Sequence, residues 1–346
     1  MKVSKLKTSL VLISLVVVFF GFIIIIHSLK PERAVPETKS LNVLNWTSYI
    51  PDDVISDFEK ESGIKVNYST YSSNEELLAK ISSAAPGTYD VIFPSDYMVE
   101  LMIYRDMLEP LDSSRLSNFE NINKKFLNQP YDSKNEFSLP FLLATSVLAY
   151  DSTKVERISS YRDLLDKNLR NNIILLDDQR IVIGAFLNAE GYSANDTDDA
   201  HLEKAYDFYQ ELKPNIKAFD SDSPKTFFIT GEVDVGLVWN AEAILAQGEN
   251  KNIKISYPAE GFTLSMDNYT IVKGAKNPDG AYEFINYLLR DDICARIVEE
   301  YPYISTNKNI ESLPEPELDE ILSRGTYIEN VGTDIKKFDK LWARIK

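Results

Sequence analysis

The sequence predicts an α/β protein of two lobes, each built on a mixed, mostly parallel sheet flanked by helices. Its 346 residues are enough for two domains with a sizeable core. Apolar stretches between residues 41 and 97 alternate between strand and helix patterns, which is typical of a parallel sheet with helices on both faces. Two long apolar runs, at 139–150 and 263–271, indicate crossings from one lobe to the other. We therefore expect a ligand cleft between two hinged lobes.

The first segment, residues 1–29, is predicted to be an uncleaved signal anchor rather than a cleaved signal peptide. Residues 9–26 are almost wholly apolar and come after three lysines, a pattern that keeps the first end in the cytoplasm and exports the rest of the chain. No small-residue cleavage site comes after the run, and no nearby cysteine could carry a lipid. Residues 30–40 are polar and contain two prolines, so we expect an extended linker. The folded part would lie outside the cytoplasm, periplasmic or at the cell surface, anchored to the membrane.

The composition is acidic and disfavours nucleic acid as a partner. Asp and Glu number 53 against 37 Lys and Arg, which gives a formal net charge of -16. Such a surface repels phosphate backbones and attracts cations. The single cysteine, Cys294, excludes an intramolecular disulfide and a Cys–His metal site, and we expect it to be a small buried hydrophobe. We predict a monomer without cofactor or metal.

The first lobe is predicted to open with a β-α-β-α-β unit. Its elements in chain order are a strand at 41–44, a helix at 51–63, a strand at 64–68, a helix at 74–82 and a strand at 89–93. Aromatic, hydroxyl and acidic side chains come directly after the first and the last of these strands. Because ligands of open α/β sheets bind outside the carboxyl ends of the strands, we expect these side chains to form one wall of the cleft.

The rest of the chain repeats the same strand and helix patterns. The predicted elements are a strand at 172–176, helices at 181–190 and 199–213, a strand at 233–238, and helices at 277–289, at 291–299 and at the C-terminus. Strand after strand ends in an aromatic or an acidic residue. We predict that the first lobe comprises 41–145 and 268–306, and the second lobe 146–267 and 307–346.

Several short motifs occur in the order and spacing of a known family. They include Asn45-Trp46-Thr47-Ser48-Tyr49-Ile50-Pro51, Gly63-Ile64-Lys65-Val66, Tyr89-Asp90-Val91-Ile92 with Pro94-Ser95, Asp177-Asp178, Trp239-Asn240 and Met266-Asp267. From about residue 41 to about residue 310, the chain resembles the spermidine/putrescine-binding proteins of bacterial ABC transporters. The resemblance implies a two-lobed periplasmic-binding-protein fold (type II). A protein of this kind closes on a polyamine and delivers it to a membrane permease without performing a reaction.

The resemblance also implies which residues bind the ligand. The matching aromatic residues are Trp46, Tyr49, Tyr97, Trp239 and Tyr303, the matching acids are Asp178 and Asp267, and Ser221 is a matching polar contact. Glu242 falls where putrescine-binding members place a carboxylate, and Thr47, Ser95 and Asp96 lie on the same strand-end turns. Cation–π contacts contribute about 0.5–2 kcal/mol per ring. Hydrogen bonds from an ammonium to a carboxylate add about 1.5–3 kcal/mol each.

Three positions depart from the family's spermidine-type pattern. Ile181 replaces a glutamate, Ser265 replaces a tryptophan, and Ile328 falls at or near a glutamine contact. The loss of one carboxylate and one ring weakens the case for a long ligand. Spermidine, putrescine and another small cationic amine all remain possible ligands on the sequence.

Two other classes of protein are compatible with these residues. The departures Ile181 and Ser265 favour a surface adhesin or scaffold that kept the fold but lost the ligand. The carboxylates of Asp178 and Asp267 could serve a glycosidase as acid and nucleophile, provided that one of them has a raised pKa. A nucleophilic triad is disfavoured, because neither His27 nor His201 has a plausible Ser or Cys partner.

Overall fold

The computed structural model describes residues 39–313 and 315–346. The predicted signal anchor at 1–29 lies outside the described residues, as does all but the end of the predicted linker at 30–40. Among the residues that are described, we find no helix with the length and apolar character needed to cross a bilayer.

Strands and helices alternate through most of the described chain. The strands are β1 (Ser40–Trp46), β2 (Lys65–Tyr71), β3 (Val91–Ile92), β4 (Ser138–Asp151), β5 (Ile173–Leu175), β6 (Ile216–Phe219), β7 (Val235–Trp239), β8 (Ile253–Ser256), β9 (Phe262–Ile271), β10 (Ile304–Ser305) and β11 (Gly325–Tyr327). The helices are α1 (Asp52–Ser62), α2 (Asn74–Ser83), α3 (Asp96–Tyr104), α4 (Gln179–Ala189), α5 (Asp199–Leu212), α6 (Lys225–Ile229), α7 (Asn240–Glu249), α8 (Pro278–Leu288), α9 (Asp291–Glu300), α10 (Glu315–Arg324) and α11 (Ile335–Ile345).

The strands pair in the order β2-β1-β3-β9-β4-β7-β5-β6. In one half, β1 lies parallel to both β2 and β3, and in the other half β5 lies parallel to both β6 and β7. The long strands β4 and β9 run antiparallel to each other and to their other neighbours in this order, β7 and β3. The predicted fold class is therefore confirmed: each half is a mixed sheet that contains three neighbouring parallel strands.

The first predicted crossing is one continuous strand, β4. Its residues up to Thr145 pair with β9, and its residues from Ser146 onward pair with β7. The strand is buried from Ser138 to Ala149, which explains its unbroken apolar sequence. The second predicted crossing is β9, which is buried along its whole length. The exact lobe boundaries, 41–145 with 268–306 and 146–267 with 307–346, stay a prediction.

Several elements escape the sequence patterns. Helices α3, α6, α7 and α10 and the short strands β6, β8, β10 and β11 were not predicted. Strand β2 continues to Tyr71, three residues beyond its predicted end, because its backbone stays paired with β1 as far as Trp46. Backbone pairing cannot be recognised from the pattern of side chains, so the sequence did not show where β2 ends. Helix α3 was missed because most of its residues are apolar, which leaves only a weak helical period.

Candidate functional site

The carboxyl ends of the parallel strands deliver side chains into one cavity of about 40 Å³. This is the placement expected from the topology of an open α/β sheet. The predicted site residues that line the cavity are Trp46, Thr47, Tyr49, Ser95, Tyr97, Asp178, Ser221, Trp239, Glu242, Asp267 and Tyr303. Residues that lie far apart in the sequence, from Trp46 to Tyr303, thus meet in one narrow space.

Asp96 is the predicted site residue that the structure places elsewhere. It is fully buried and does not line the cavity. Its two carboxylate oxygens accept hydrogen bonds from the backbone N–H groups of Tyr97 (2.9 Å) and Met266 (3.4 Å). Burial raises the pKa of Asp96 well above its usual range. The sequence prediction of a ligand contact at Asp96 is therefore not supported by its position, because its side chain serves the backbone at the start of α3.

Asp267 is the most deeply buried acid of the cavity lining. One of its oxygens accepts a hydrogen bond from the Tyr49 hydroxyl at 2.6 Å, and the other accepts from the Ser95 hydroxyl at 2.7 Å. Burial raises the pKa of Asp267 to about 7, although both hydrogen bonds act in the opposite direction. A nearby cation favours the ionised form of such a carboxyl group, so this position is suited to bind an ammonium group.

Aromatic rings form a continuous wall beside Asp267. The ring centres of Tyr49 and Tyr303 lie 4.8 Å apart, and those of Trp46 and Tyr71 lie 4.6 Å apart. The Trp46 indole N–H donates to the backbone oxygen of Phe93 at 2.9 Å, which fixes the orientation of the ring. Such a wall can pack against methylene groups and attract an ammonium group by its ring faces.

The turn between Trp46 and Tyr49 contains a strained backbone position. Ser48 has a φ of 57°, in the left-handed region that residues other than glycine rarely adopt. The strain is held by the anchored Trp46 on one side and by the buried Tyr49 on the other. This sharp turn brings two large rings to the same side of the cavity directly after β1.

Asp178 caps a helix and also lines the cavity. One oxygen of its carboxylate caps helix α4 by accepting from the N–H groups of Arg180 (2.9 Å) and Ile181 (3.1 Å). Its other oxygen is not engaged by the cap, and the residue lines the cavity. Burial raises the pKa of Asp178 to about 6, and the nearby Glu75 raises it further. The geometry therefore allows Asp178 to cap the helix with one oxygen and to face the cavity with the other.

Arg180 is a lining residue that the sequence did not single out. Its buried guanidinium donates to the backbone oxygen of Glu329 and to the side-chain oxygen of Asn195, both at 3.0 Å. It also lies 5.5 Å from the centre of the Tyr97 ring. The only signal in the sequence was its position two residues after Asp178. The other lining residues that were not predicted to contact ligand are Ser48, Tyr71, Ser72, Asn74, Ala144 and Asp222.

The three positions that depart from the family pattern also line the cavity. Ile181 and Ile328 present apolar side chains, and Ser265 presents a small polar one. All three positions that the family resemblance singled out are therefore positions of the cavity lining. These three positions therefore contribute neither a carboxylate nor an aromatic ring to the lining.

A second, outer cavity of about 600 Å³ adjoins the inner one. The two share the lining residues Ser72, Asp178, Ser221 and Asp222. The outer cavity adds the acidic residues Glu75, Asp177, Asp220 and Asp339. Its acidic lining would raise the local concentration of cations at the entrance to the inner cavity.

Two sheet halves joined by long antiparallel strands, with an aromatic and acidic cavity at the strand ends, define a solute-binding protein of the α/β class. Residues 53–322 match the family of bacterial extracellular solute-binding proteins, and the chain belongs to that family.

Several proteins with similar sequences are named for polyamine binding. The spermidine/putrescine-binding periplasmic protein of Salmonella typhimurium is 34% identical over 321 residues, which cover 90% of this chain and 92% of that protein. The putrescine-binding periplasmic protein PotF of Escherichia coli is 31% identical over 293 residues, which cover 79% of each chain.

Solved structures agree with this assignment. The substrate-binding protein PotD of a spermidine/putrescine ABC transporter from Streptococcus pneumoniae superimposes with a TM-score of 0.74 at 34% identity, over 89% of this chain and 98% of that one. The lipoprotein Tp0655 (TpPotD) of Treponema pallidum gives a TM-score of 0.80 at 28% identity, over 89% and 99% of the two chains. The predicted resemblance to the spermidine/putrescine-binding proteins is thereby confirmed.

Proposed function

We propose that this protein captures a polyamine, putrescine or spermidine, outside the cytoplasm and presents it to the permease of an ABC importer. The observation that carries the proposal is the buried Asp267 carboxylate, held by the hydroxyls of Tyr49 and Ser95 beside a wall of aromatic rings. A polyamine combines ammonium groups with apolar linkers, and the cavity offers a partner for each part. The names of the similar proteins support the same ligand class.

Binding would be coupled to movement of the two lobes. The cavity is narrow, and its lining residues come from both halves of the sheet, so a ligand would enter when the halves separate. We propose that the movement occurs where β4 and β9 pass between the halves, near Thr145 and Asp267. A ligand that contacts both halves favours the closed arrangement through those additional contacts. Attachment to the membrane by residues 1–29 and a monomeric state are parts of the same proposal.

A binding role also explains the raised pKa values of Asp178 and Asp267 without a reaction. Both shifts arise mainly from burial of carboxylates, and an arriving ammonium group would reverse them. The glycosidase alternative needs a raised pKa too, but the similar proteins are binding components of transporters. Hydrolysis of a glycoside by the wild-type protein, lost in Asp267→Asn, would contradict the binding proposal.

Calorimetric titration tests the proposal directly. The full-length protein, kept in a mild detergent because of its apolar N-terminal run, would be titrated with putrescine, cadaverine and spermidine. We expect saturable one-to-one binding and a change in the fluorescence of Trp46 and Trp239, which both line the cavity. A folded protein that gives neither heat nor thermal stabilisation with any polyamine would refute the proposal and favour the adhesin or scaffold alternative. Binding of a different small amine in the same assay would correct the ligand but keep the receptor role.

Removal of the Trp46 ring from the aromatic wall is expected to weaken polyamine binding substantially. Trp46→Ala takes away a cation–π partner and the apolar surface beside the ligand, so we expect a loss of affinity of about 10–100-fold. Tyr104→Ala is the matched control, because this ring is 85% exposed and does not line the cavity. Equal effects of the two substitutions on the dissociation constant would show that Trp46 does not contact the ligand.

A further inference from the structure

The cavity contains a carboxylate that already has a cation of the protein's own. Lys225, at the start of α6, places its ammonium nitrogen 3.0 and 3.1 Å from the two carboxylate oxygens of Glu242. The Lys225 backbone N–H also points to Glu242, at 3.4 Å. The Glu242 side chain is only 6% exposed, whereas that of Lys225 is 27% exposed. Glu242 lines the cavity, whereas Lys225 is not among the lining residues.

This pair changes what Glu242 can offer to a ligand. Both of its oxygens are engaged by a single ammonium group, which is the same chemical group that a polyamine would present. Glu242 and Tyr303 line the same cavity. Burial is the main cause of the raised pKa of the Tyr303 hydroxyl, and the charge of Glu242 raises it further. A ligand ammonium at this place would have to compete with a tethered one.

We propose that Lys225 determines specificity: its ammonium neutralises Glu242, so that the cavity favours ligands with two ammonium groups over ligands with three. This inference rests on the proposed polyamine-binding function. Asp267 and Asp178 then remain as the carboxylates for the two ends of a diamine.

The charges around the cavity agree with a doubly charged ligand. Four carboxylates line it, those of Asp178, Asp222, Glu242 and Asp267, together with the guanidinium of Arg180. Four negative charges, less one for Arg180 and one for Lys225, leave two. A dication would balance this charge, whereas a trication would bring one positive charge more than the lining balances, which is unfavourable in a buried cavity.

The test compares putrescine and spermidine on Lys225→Met, which keeps an unbranched side chain but removes the charge. Calorimetry or competition with a fluorescent polyamine would give both dissociation constants. We expect the affinity for spermidine relative to putrescine to rise by about tenfold or more, because Glu242 becomes available to a third ammonium group. Lys225→Arg retains the charge and should keep the wild-type ratio. Lys217→Met is the matched control, because Lys217 pairs with Glu232 outside the cavity lining.

A double-mutant cycle of Lys225 and Glu242 shows whether the gain in spermidine affinity comes from Glu242. We expect Glu242→Gln to cost spermidine affinity about tenfold more in the Lys225→Met background than in the wild type. An unchanged spermidine-to-putrescine ratio in a folded Lys225→Met protein overturns the inference while leaving polyamine binding intact. Absence of polyamine binding in the wild type as well refutes the proposed function itself. If Lys225→Met does not fold, Lys225→Gln takes its place in the same cycle.

Discussion

Replacement of Asp267 by asparagine is expected to reduce the affinity for any bound polyamine by about a hundredfold or more. Asparagine keeps the size of the side chain but carries no charge. Its amide oxygen can accept from one of the hydroxyls of Tyr49 and Ser95, and its NH2 group can donate to the other after that hydroxyl rotates. Loss of one partner from a buried, hydrogen-bonded charge pair costs about 2–5 kcal/mol. Calorimetric titration of the variant beside the wild type measures the loss directly.

The matched control for this substitution is Asp177→Asn. Asp177 lies two residues after the end of β5. It is exposed, lines only the outer cavity and pairs with Lys346 at 2.8 Å. Exposed ion pairs contribute little, so we expect less than about a threefold change in affinity. If Asp177→Asn weakened binding as much as Asp267→Asn, the ligand would be held mainly by the outer cavity.

The same Asp267 substitution should stabilise the protein when no ligand is bound. Burial raises the pKa of Asp267 from its usual value near 3.8 to about 7, so the folded state binds this proton more tightly than the unfolded state. The contribution of Asp267 to the free energy of unfolding is therefore greatest at low pH and is lost as the pH rises toward 7. Thermal unfolding at pH 8 should show a higher Tm for Asp267→Asn than for the wild type. A lower Tm in the variant would mean that the charged carboxylate stabilises the fold.

Polyamine affinity is expected to fall by about a thousandfold between pH 8 and pH 5, about a hundredfold from Asp267 and about tenfold from Asp178. An ammonium group binds the ionised carboxylates, and these become protonated as the pH falls through about 7 for Asp267 and about 6 for Asp178. Each proton that must be released lowers the affinity about tenfold per pH unit below the pKa of its group. Titrations at a series of pH values would show the decline, and buffers of different ionisation enthalpy would detect proton release on binding at pH 7.

Asp267→Asn supplies the control for the pH dependence. Its remaining, weaker binding should lose the step near pH 7 and keep the step near pH 6 that belongs to Asp178. A wild-type affinity that does not change between pH 8 and pH 5 would show that neither carboxylate contacts the ligand in its charged form.

Much of the site could be read from the order of strand ends along the sequence. Trp46, Asp178 and Trp239 lie at or directly after predicted strands, and the topology of a parallel sheet brings such positions to one edge. Asp267 and Tyr303 came from the family resemblance instead, because they lie on β9 and just before β10, away from any parallel strand end. Asp96 shared the strand-end pattern but turned inward to the backbone, and side-chain direction is not visible in a sequence.

The sequence by itself determined the fold class, because alternating apolar patterns are local properties of the chain. Its motifs, taken in order, also indicated the family and most of the rings and acids that line the cavity. Only the tertiary structure determined which cavity residues are charged and which charges are paired. The raised pKa of Asp267 depends on burial by distant segments. The pairing of Lys225 with Glu242 depends on how α6 and α7 pack, and the place of Arg180 beside Tyr97 on how α4 meets α3. Charge and burial arise from contacts between residues far apart in sequence, and these contacts determine which ligand the cavity can hold.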